Sequence, residues 1–248
     1  MYPVVLDIYG PIKINGFSLC ILISISIFIY LIKKDINVKK FFDKYDVIDL
    51  ISETAIAAII GGRFLHVINN YDYYSNIIDI FKIYNGGLAV IGALISGIIY
   101  LFYALKKRRL NVISILDIAA AYIPIVHCIS RVGCFLAGCC YGISCNQFWA
   151  INSKHPTQLY SSLIFLILFI IQQVLYKKYK LNDLASGLLF FIYLTFLSIE
   201  RFSIDFLRAE REYYYNFDYI SKAQIQSILI LVIALVILNY KKPKYEYI

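Results

Sequence analysis

Long apolar windows alternate with short polar connections along the whole chain. Windows of membrane-spanning length fall near 16–32, 47–69, 86–105, 113–136, 157–176, 184–207 and 222–240. A helix needs about 20 apolar residues to cross a hydrocarbon core, so each window predicts one transmembrane helix, and no soluble domain fits between them. The predicted fold is an all-α integral membrane protein, a bundle of about seven helices forming a single multi-span domain over 1–248. The polar connections give it a direction. Lys33, Lys34, Lys39, Lys40 and Lys44 follow the first window and Lys106, Lys107, Arg108 and Arg109 the third; Lys177, Lys178 and Lys180 follow the fifth and Lys241, Lys242 and Lys244 the last. Basic residues thus gather in alternate connections, which belong on the cytoplasmic side. The other connections hold tyrosine clusters (Tyr71, Tyr73, Tyr74; Tyr213, Tyr214, Tyr215) suited to the headgroup boundary. The N-terminus is therefore expected outside and the C-terminus in the cytoplasm. No small-residue cleavage site follows the first window, and Lys33 and Lys34 close it, so it is expected to stay in the mature chain.

Composition narrows the class. Hydrophobic residues make up 60% and charged residues 16%, which excludes an ordinary soluble domain. The net charge of +8 would suggest nucleic acid in a soluble protein, but here the basic residues serve as topology signals. No nucleic-acid partner is expected; the bilayer is.

Against this apolar background three arginines stand inside predicted spans: Arg63, Arg131 and Arg201. Each falls late in an outward-running helix, hence in the outer half of the membrane. A charged side chain there costs a few kcal/mol on insertion scales, so it faces the bundle interior, a partner or water. Asp205 lies one turn beyond Arg201 on the same helix face and is its nearest candidate partner. Simple neutralisation of Arg201 by Asp205 is one reading. Three arginines at one depth favour another, an anion site. Two helix beginnings point to the same layer: Gly86 and Gly87 precede the third span, and His155-Pro156-Thr157-Gln158 opens the fifth. Free N–H groups at such ends attract anions, and phospholipid phosphate is the anion of that layer.

Five of the six cysteines fall in the run HCISRVGCFLAGCCYGISC, residues 127–145. Zinc would want separated ligand pairs, and adjacent Cys139 and Cys140 make a poor chelate in sequence, so no metal is expected. A disulfide among Cys134, Cys139, Cys140 and Cys145 would staple the loop. A reactive thiol at Cys134 or Cys139 is the alternative, since arginine and histidine nearby favour thiolate. Cys145 reads as structural and Cys20 as packing. His127 precedes Arg131 by one turn on one helical face and is a candidate base.

These residues sit in ordered motifs. GPIKINGFSL near the N-terminus, GGRF (61–64), GGLAVIGALISG (86–97), SRVGCFLAGCCYG (130–142), KHPTQLY (154–160) and ERFSIDFLR (200–208) together resemble the phosphatidylglycerol–prolipoprotein diacylglyceryl transferase family over nearly the whole chain. The pattern also departs from that family. The family's third-span histidine falls on Ile91, its first-span tyrosine on Asn15, its two signature asparagines on Cys134 and Ala137, its signature glutamate on Cys139, and a glutamine on His127.

The resemblance implies a transferase in the cytoplasmic membrane of a bacterium. Its substrates would be phosphatidylglycerol and a prolipoprotein, and it would need no metal or soluble cofactor. It implies that Arg131 and Arg201 hold phosphate, with Asp205 orienting Arg201 and His127 replacing the missing base. Arg63 would join the same field or position a loop. Gly86, Gly87, Gly133, Tyr141, His155 and Gln158 would line the substrate path. Two other classes remain at this level: a lipid transferase with a different acceptor or a covalent relay through Cys134 or Cys139, and a thiol–disulfide oxidoreductase using Cys139 and Cys140. A channel is disfavoured because the charges gather at one depth.

Overall fold

The computed structural model describes residues 4–9, 12–35, 38–39, 47–74, 76–81, 86–178, 187–213 and 219–240. It opens with an element the hydropathy pattern did not predict. Strands β1 (Val4–Tyr9) and β2 (Ile12–Asn15) form an antiparallel hairpin, pairing Val4 with Asn15 and Tyr9 with Ile12. The fold is therefore helical with a small hairpin, where an all-α chain was expected. Alternation over four to six residues leaves no trace in windows of spanning length.

The helices follow: α1 (Gly16–Lys34), α2 (Val47–Asn69), a short α3 (Ile77–Phe81), α4 (Val90–Lys107), α5 (Val112–Ala137), α6 (Thr157–Lys178), α7 (Leu188–Asp205) and α8 (Lys222–Tyr240). Among the described residues α1, α2, α4, α5 and α6 are long and apolar enough to cross a membrane. Helices α7 and α8 occupy the last two predicted windows. The second half of α7 carries Glu200, Arg201 and Asp205, and the apolar part of α8 is the shorter run Lys222–Val236.

Internal contacts divide the chain into two compact units, one of Met1–Lys34 with Ile113–Ile248 and one of Asp35–Val112. In the smaller unit, small residues let α2 and α4 approach closely. A Cβ on Gly92 would lie 2.5 Å from the Gly61 carbonyl oxygen, and one on Gly61 would meet the Ser96 side chain. Arg108 closes the helix pair on the Glu53 carboxylate at 2.7 Å, which also accepts from the Tyr100 hydroxyl.

In the larger unit α1 packs on α5 where Gly133 leaves room, since a Cβ there would come within 2.9 Å of the Cys20 Cβ. Pro124 lies inside α5 and cannot donate to the preceding turn. Gln173 of α6 supplies a donor to the Ala121 carbonyl nearby, at 2.7 Å. Fully buried Asp117 accepts from the backbone N–H groups of Gly187 and Phe190, each at 2.9 Å, and so caps the start of α7. The start of α8 is a capping box. The Gln224 N–H donates to the Ser221 hydroxyl and the Ser221 N–H donates to the Gln224 side chain.

Candidate active site

The ends of α5, α6 and α7 are tied together by the loop after α5. Gly138 adopts a left-handed conformation (φ 73°), and the Cys139 N–H reaches back to the Cys134 carbonyl at 3.2 Å. This ends α5 in a Schellman-type turn that folds Cys139 over Cys134. Beyond it, the Gly142 N–H donates to the His155 carbonyl and the Ile143 N–H to the Leu207 carbonyl, both at 2.9 Å. Only glycine fits at 142, because a Cβ would lie 2.6 Å from both the His155 Cβ and the Leu207 oxygen. The start of α6 is fastened to the same loop. Thr157 donates its hydroxyl to the Cys140 carbonyl at 2.7 Å, and Gln158 its amide to the Cys139 carbonyl at 2.6 Å.

These bonds frame a small cleft lined by Arg131, Cys140, Thr157, Gln158, Ser161, Arg201, Ile204 and Arg208. Among the described residues no carboxylate is bonded to Arg131, Arg201 or Arg208. Glu200, the nearest acid in sequence, is buried and accepts the Ser161 hydroxyl. The Arg208 Nε and the Gln158 Oε1 are buried without a partner. Three guanidinium groups thus line one cleft without a bonded carboxylate among the described residues, with Glu200 and Asp205 acting on Arg201 only through space, and planar guanidinium forks match phosphate oxygens.

Cys140 brings sulfur to this wall. The Sγ atoms of Cys134, Cys139 and Cys140 all lie within 4.8 Å of one another, and all six cysteines are free. Of the two readings of the run, the loop disulfide is not formed in this structure. Cys139 is exposed and Cys134 buried. The Cys140 thiol is lowered to about 5, chiefly by the hydrogen bond from Cys134 and then by the Arg208 and Arg131 charges, against the opposing effect of burial.

Sequence expectations are met unevenly. Arg131, Arg201 and Gln158 come together in the cleft. Tyr141, His155 and Gln158 line an adjoining apolar cavity of about 120 Å³, where Lys154 lies 3.7 Å over the Tyr141 ring. Gly133 is a helix-packing residue. His127 is absent from the described lining. It sits against the rings of Phe165 and Tyr193, with the Tyr193 hydroxyl 3.4 Å from Nε2. Asp205 does not bond Arg201. Its Oδ2 accepts from the Ser221 hydroxyl at 2.5 Å and from the Arg211 Nε at 3.3 Å, so the α8 cap has drawn it away. Arg63 belongs to the smaller unit and donates to the carbonyls of Asp79, Ile80, Gly86 and Gly87 at 2.6–2.9 Å. Arg208, Cys140, Thr157 and Ser161 are additions to the site. The spacing of Arg208, two helical turns past Arg201, was the signal available for it.

The fold and cleft define a multi-pass helical membrane protein with three arginines gathered beside a cluster of thiols. A family model described as prolipoprotein diacylglyceryl transferase matches residues 3–240, and the chain belongs to that family. A phosphatidylglycerol–prolipoprotein diacylglyceryl transferase of Streptococcus equi subsp. equi is 33% identical over 240 residues, covering 92% of this chain and 90% of the relative. One of Streptococcus pneumoniae serotype 4 is 30% identical over 248 residues, covering 95% and 92%.

Proposed function

We propose that this transferase moves the diacylglyceryl group of phosphatidylglycerol onto the thiol of a lipoprotein-precursor cysteine. The observation that carries the reading is the convergence of Arg131, Arg201 and Arg208 in one cleft without a bonded carboxylate among the described residues. In the reaction the acceptor sulfur attacks the glyceryl carbon next to the phosphate. The C–S bond forms, the C–O bond breaks, and the electron pair leaves on an oxygen of glycerol phosphate. Negative charge grows on that phosphate, where preorganised guanidinium donors in a water-poor cleft stabilise it more than they stabilise the diester. Gln158 and Thr157 hold the loop that forms the cleft wall. Arg63 acts by fixing the segment before α4. The adjoining cavity of Tyr141, Lys154 and His155 shares Gln158 with the cleft and suits the acceptor peptide.

The setting is one membrane domain of seven spans in the cytoplasmic membrane of a bacterium, with the cleft toward the outer face and the C-terminus inside. The alternating basic connections support this orientation. The test is direct. Purified protein, phosphatidylglycerol and a lipobox peptide should give peptide heavier by one diacylglyceryl unit, with glycerol phosphate released in equal amount. Released glycerol phosphate with unmodified peptide would transfer the reading to another acceptor. Peptide disulfide with intact lipid would replace it with thiol–disulfide exchange.

A further inference from the structure

The cysteine cluster lies beside the arginine cleft, yet the transfer as derived gives it no task. It also leaves the acceptor thiol without a group to remove its proton. His127 is packed between Phe165 and Tyr193 and does not line the cleft. A thiol must become a thiolate to attack carbon.

We propose that Cys134, Cys139 and Cys140 bind one zinc-like divalent ion whose fourth coordination position takes the acceptor thiol and presents it as thiolate to the lipid. The identity of the acceptor rests on the proposed function; the metal site does not.

Zinc–sulfur bonds of about 2.3 Å in a tetrahedron put sulfurs about 3.8 Å apart. The three Sγ atoms already lie within 4.8 Å of one another, so closing on a metal needs small side-chain adjustments only. The sequence objection, that adjacent cysteines chelate poorly, is met by the backbone. Left-handed Gly138 and Cys140 (φ 73° and 60°) flank Cys139. The turn folds Cys139 back over Cys134, and the Cys139 Sγ lies 3.6 Å from the Cys134 carbonyl. The backbone carbonyls of Cys139 and Cys140 are pinned from α6 by Gln158 and Thr157, which holds the backbone that carries two of the three sulfurs. Three thiolates on a divalent ion leave one negative charge, and Cys140 shares the cleft with Arg131, Arg201 and Arg208. Exposed Cys139 gives the ion and the acceptor a way in.

Three protein ligands and an open fourth position are the catalytic form of a zinc site. The acceptor thiol displaces the remaining ligand, gives its proton to water and binds as thiolate. Its lone pair then forms the C–S bond as the C–O bond to phosphate breaks, with the leaving charge received by the arginines. The neutral thioether is a weak ligand and departs. No atom changes oxidation state.

The test uses the full chain in detergent, reduced, stripped with a chelator and reloaded with Zn²⁺ or Co²⁺. One metal per chain is expected, with a sulfur-to-cobalt charge-transfer band in the near ultraviolet that changes when lipobox peptide is added. The band should vanish in Cys139→Ser, whose exposed position spares the fold, and in Cys140→Ser. It should persist in Cys128→Ser, whose sulfur lies against Ser162 outside the cluster. Stripping should slow transfer about a hundredfold, the scale of losing the group that handles the proton, with Zn²⁺ restoring it. Absence of stoichiometric metal, or an unchanged band in Cys139→Ser, overturns the site. Undiminished transfer by stripped protein overturns the activation while leaving the transferase standing. Bound metal and a peptide-sensitive band without lipid consumption would support the site and overturn the transferase reading.

Discussion

Replacing Arg201 by methionine should make the protein more stable and nearly inactive. Arg201 is half-buried in α7 and lines the cleft with Arg131 and Arg208, without a bonded carboxylate among the described residues. Its removal forfeits no side-chain hydrogen bond among the described residues and ends its repulsion with Arg131 and Arg208, which outweighs the attraction of Asp205 and Glu200. An arginine at a helix centre in the bilayer costs about 2.5–3.5 kcal/mol on insertion scales. Half burial brings the expected gain to about 1–2 kcal/mol, comparable to swaps of buried charge for apolar side chains. At roughly 2–4 °C per kcal/mol for a chain of this size, Tm should rise by about 2–8 °C. Transfer should fall by about 10²–10³, the loss of one preorganised donor to a developing oxyanion. Calorimetry in lipid-free detergent reads the first effect and mass spectrometry of a lipobox peptide the second. The opposite signs exclude misfolding as the cause of inactivity. A variant that transfers within about threefold of the parent, or that loses stability along with activity, would refute the anion site.

Arg63→Met should do the reverse in stability, because four carbonyls lose charge-assisted donors worth about 1.5 kcal/mol or more each; earlier proteolysis between residues 79 and 90 reports it. Gly142→Ala should cost about 1–3 kcal/mol through overpacking on His155 and Leu207, and should lower transfer by displacing the loop, as read by calorimetry and the peptide assay. Gln158→Glu should raise KM for phosphatidylglycerol about tenfold or more, since a carboxylate facing the same guanidinium groups competes with phosphate; an unchanged KM would remove Gln158 from the cleft's chemistry. Asp205→Ala should cost about 2–3 kcal/mol, since the Ser221 hydroxyl and the Arg211 guanidinium both lose their acceptor; calorimetry reads the loss, and an unchanged Tm would remove Asp205 from the support of α8.

Five of the seven predicted spans were legible because hydrophobic runs of about 20 residues have few other meanings. The hairpin of 4–15 escaped for the opposite reason, being too short to alter such a window. Asp205 shows why spacing alone misassigns partners. One turn from Arg201 is contact distance on an isolated helix, but the Ser221 hydroxyl of the α8 cap and Arg211 are reached only once the chain has turned back. Arg63 was legible as a buried arginine, though not as one already saturated by carbonyls. Cys140 was legible as one of a cysteine pair, though not as part of the arginine cleft's wall: it is left-handed beside another cysteine, and nothing in the letters announces that conformation.

The loop of 138–155 therefore does more than connect helices. Its backbone is bonded to the start of α6 through His155 and to the end of α7 through Leu207, and its carbonyls accept the side chains of Thr157 and Gln158. The same few residues thus fix the arginine cleft and gather the three sulfurs. A displacement of the loop must disturb both together, which couples the placement of the arginines to the geometry of the thiol cluster. Burial sharpens that coupling, because like charges drawn together where water is partly excluded repel more strongly than on an open surface, so the loop must hold the arginines against one another.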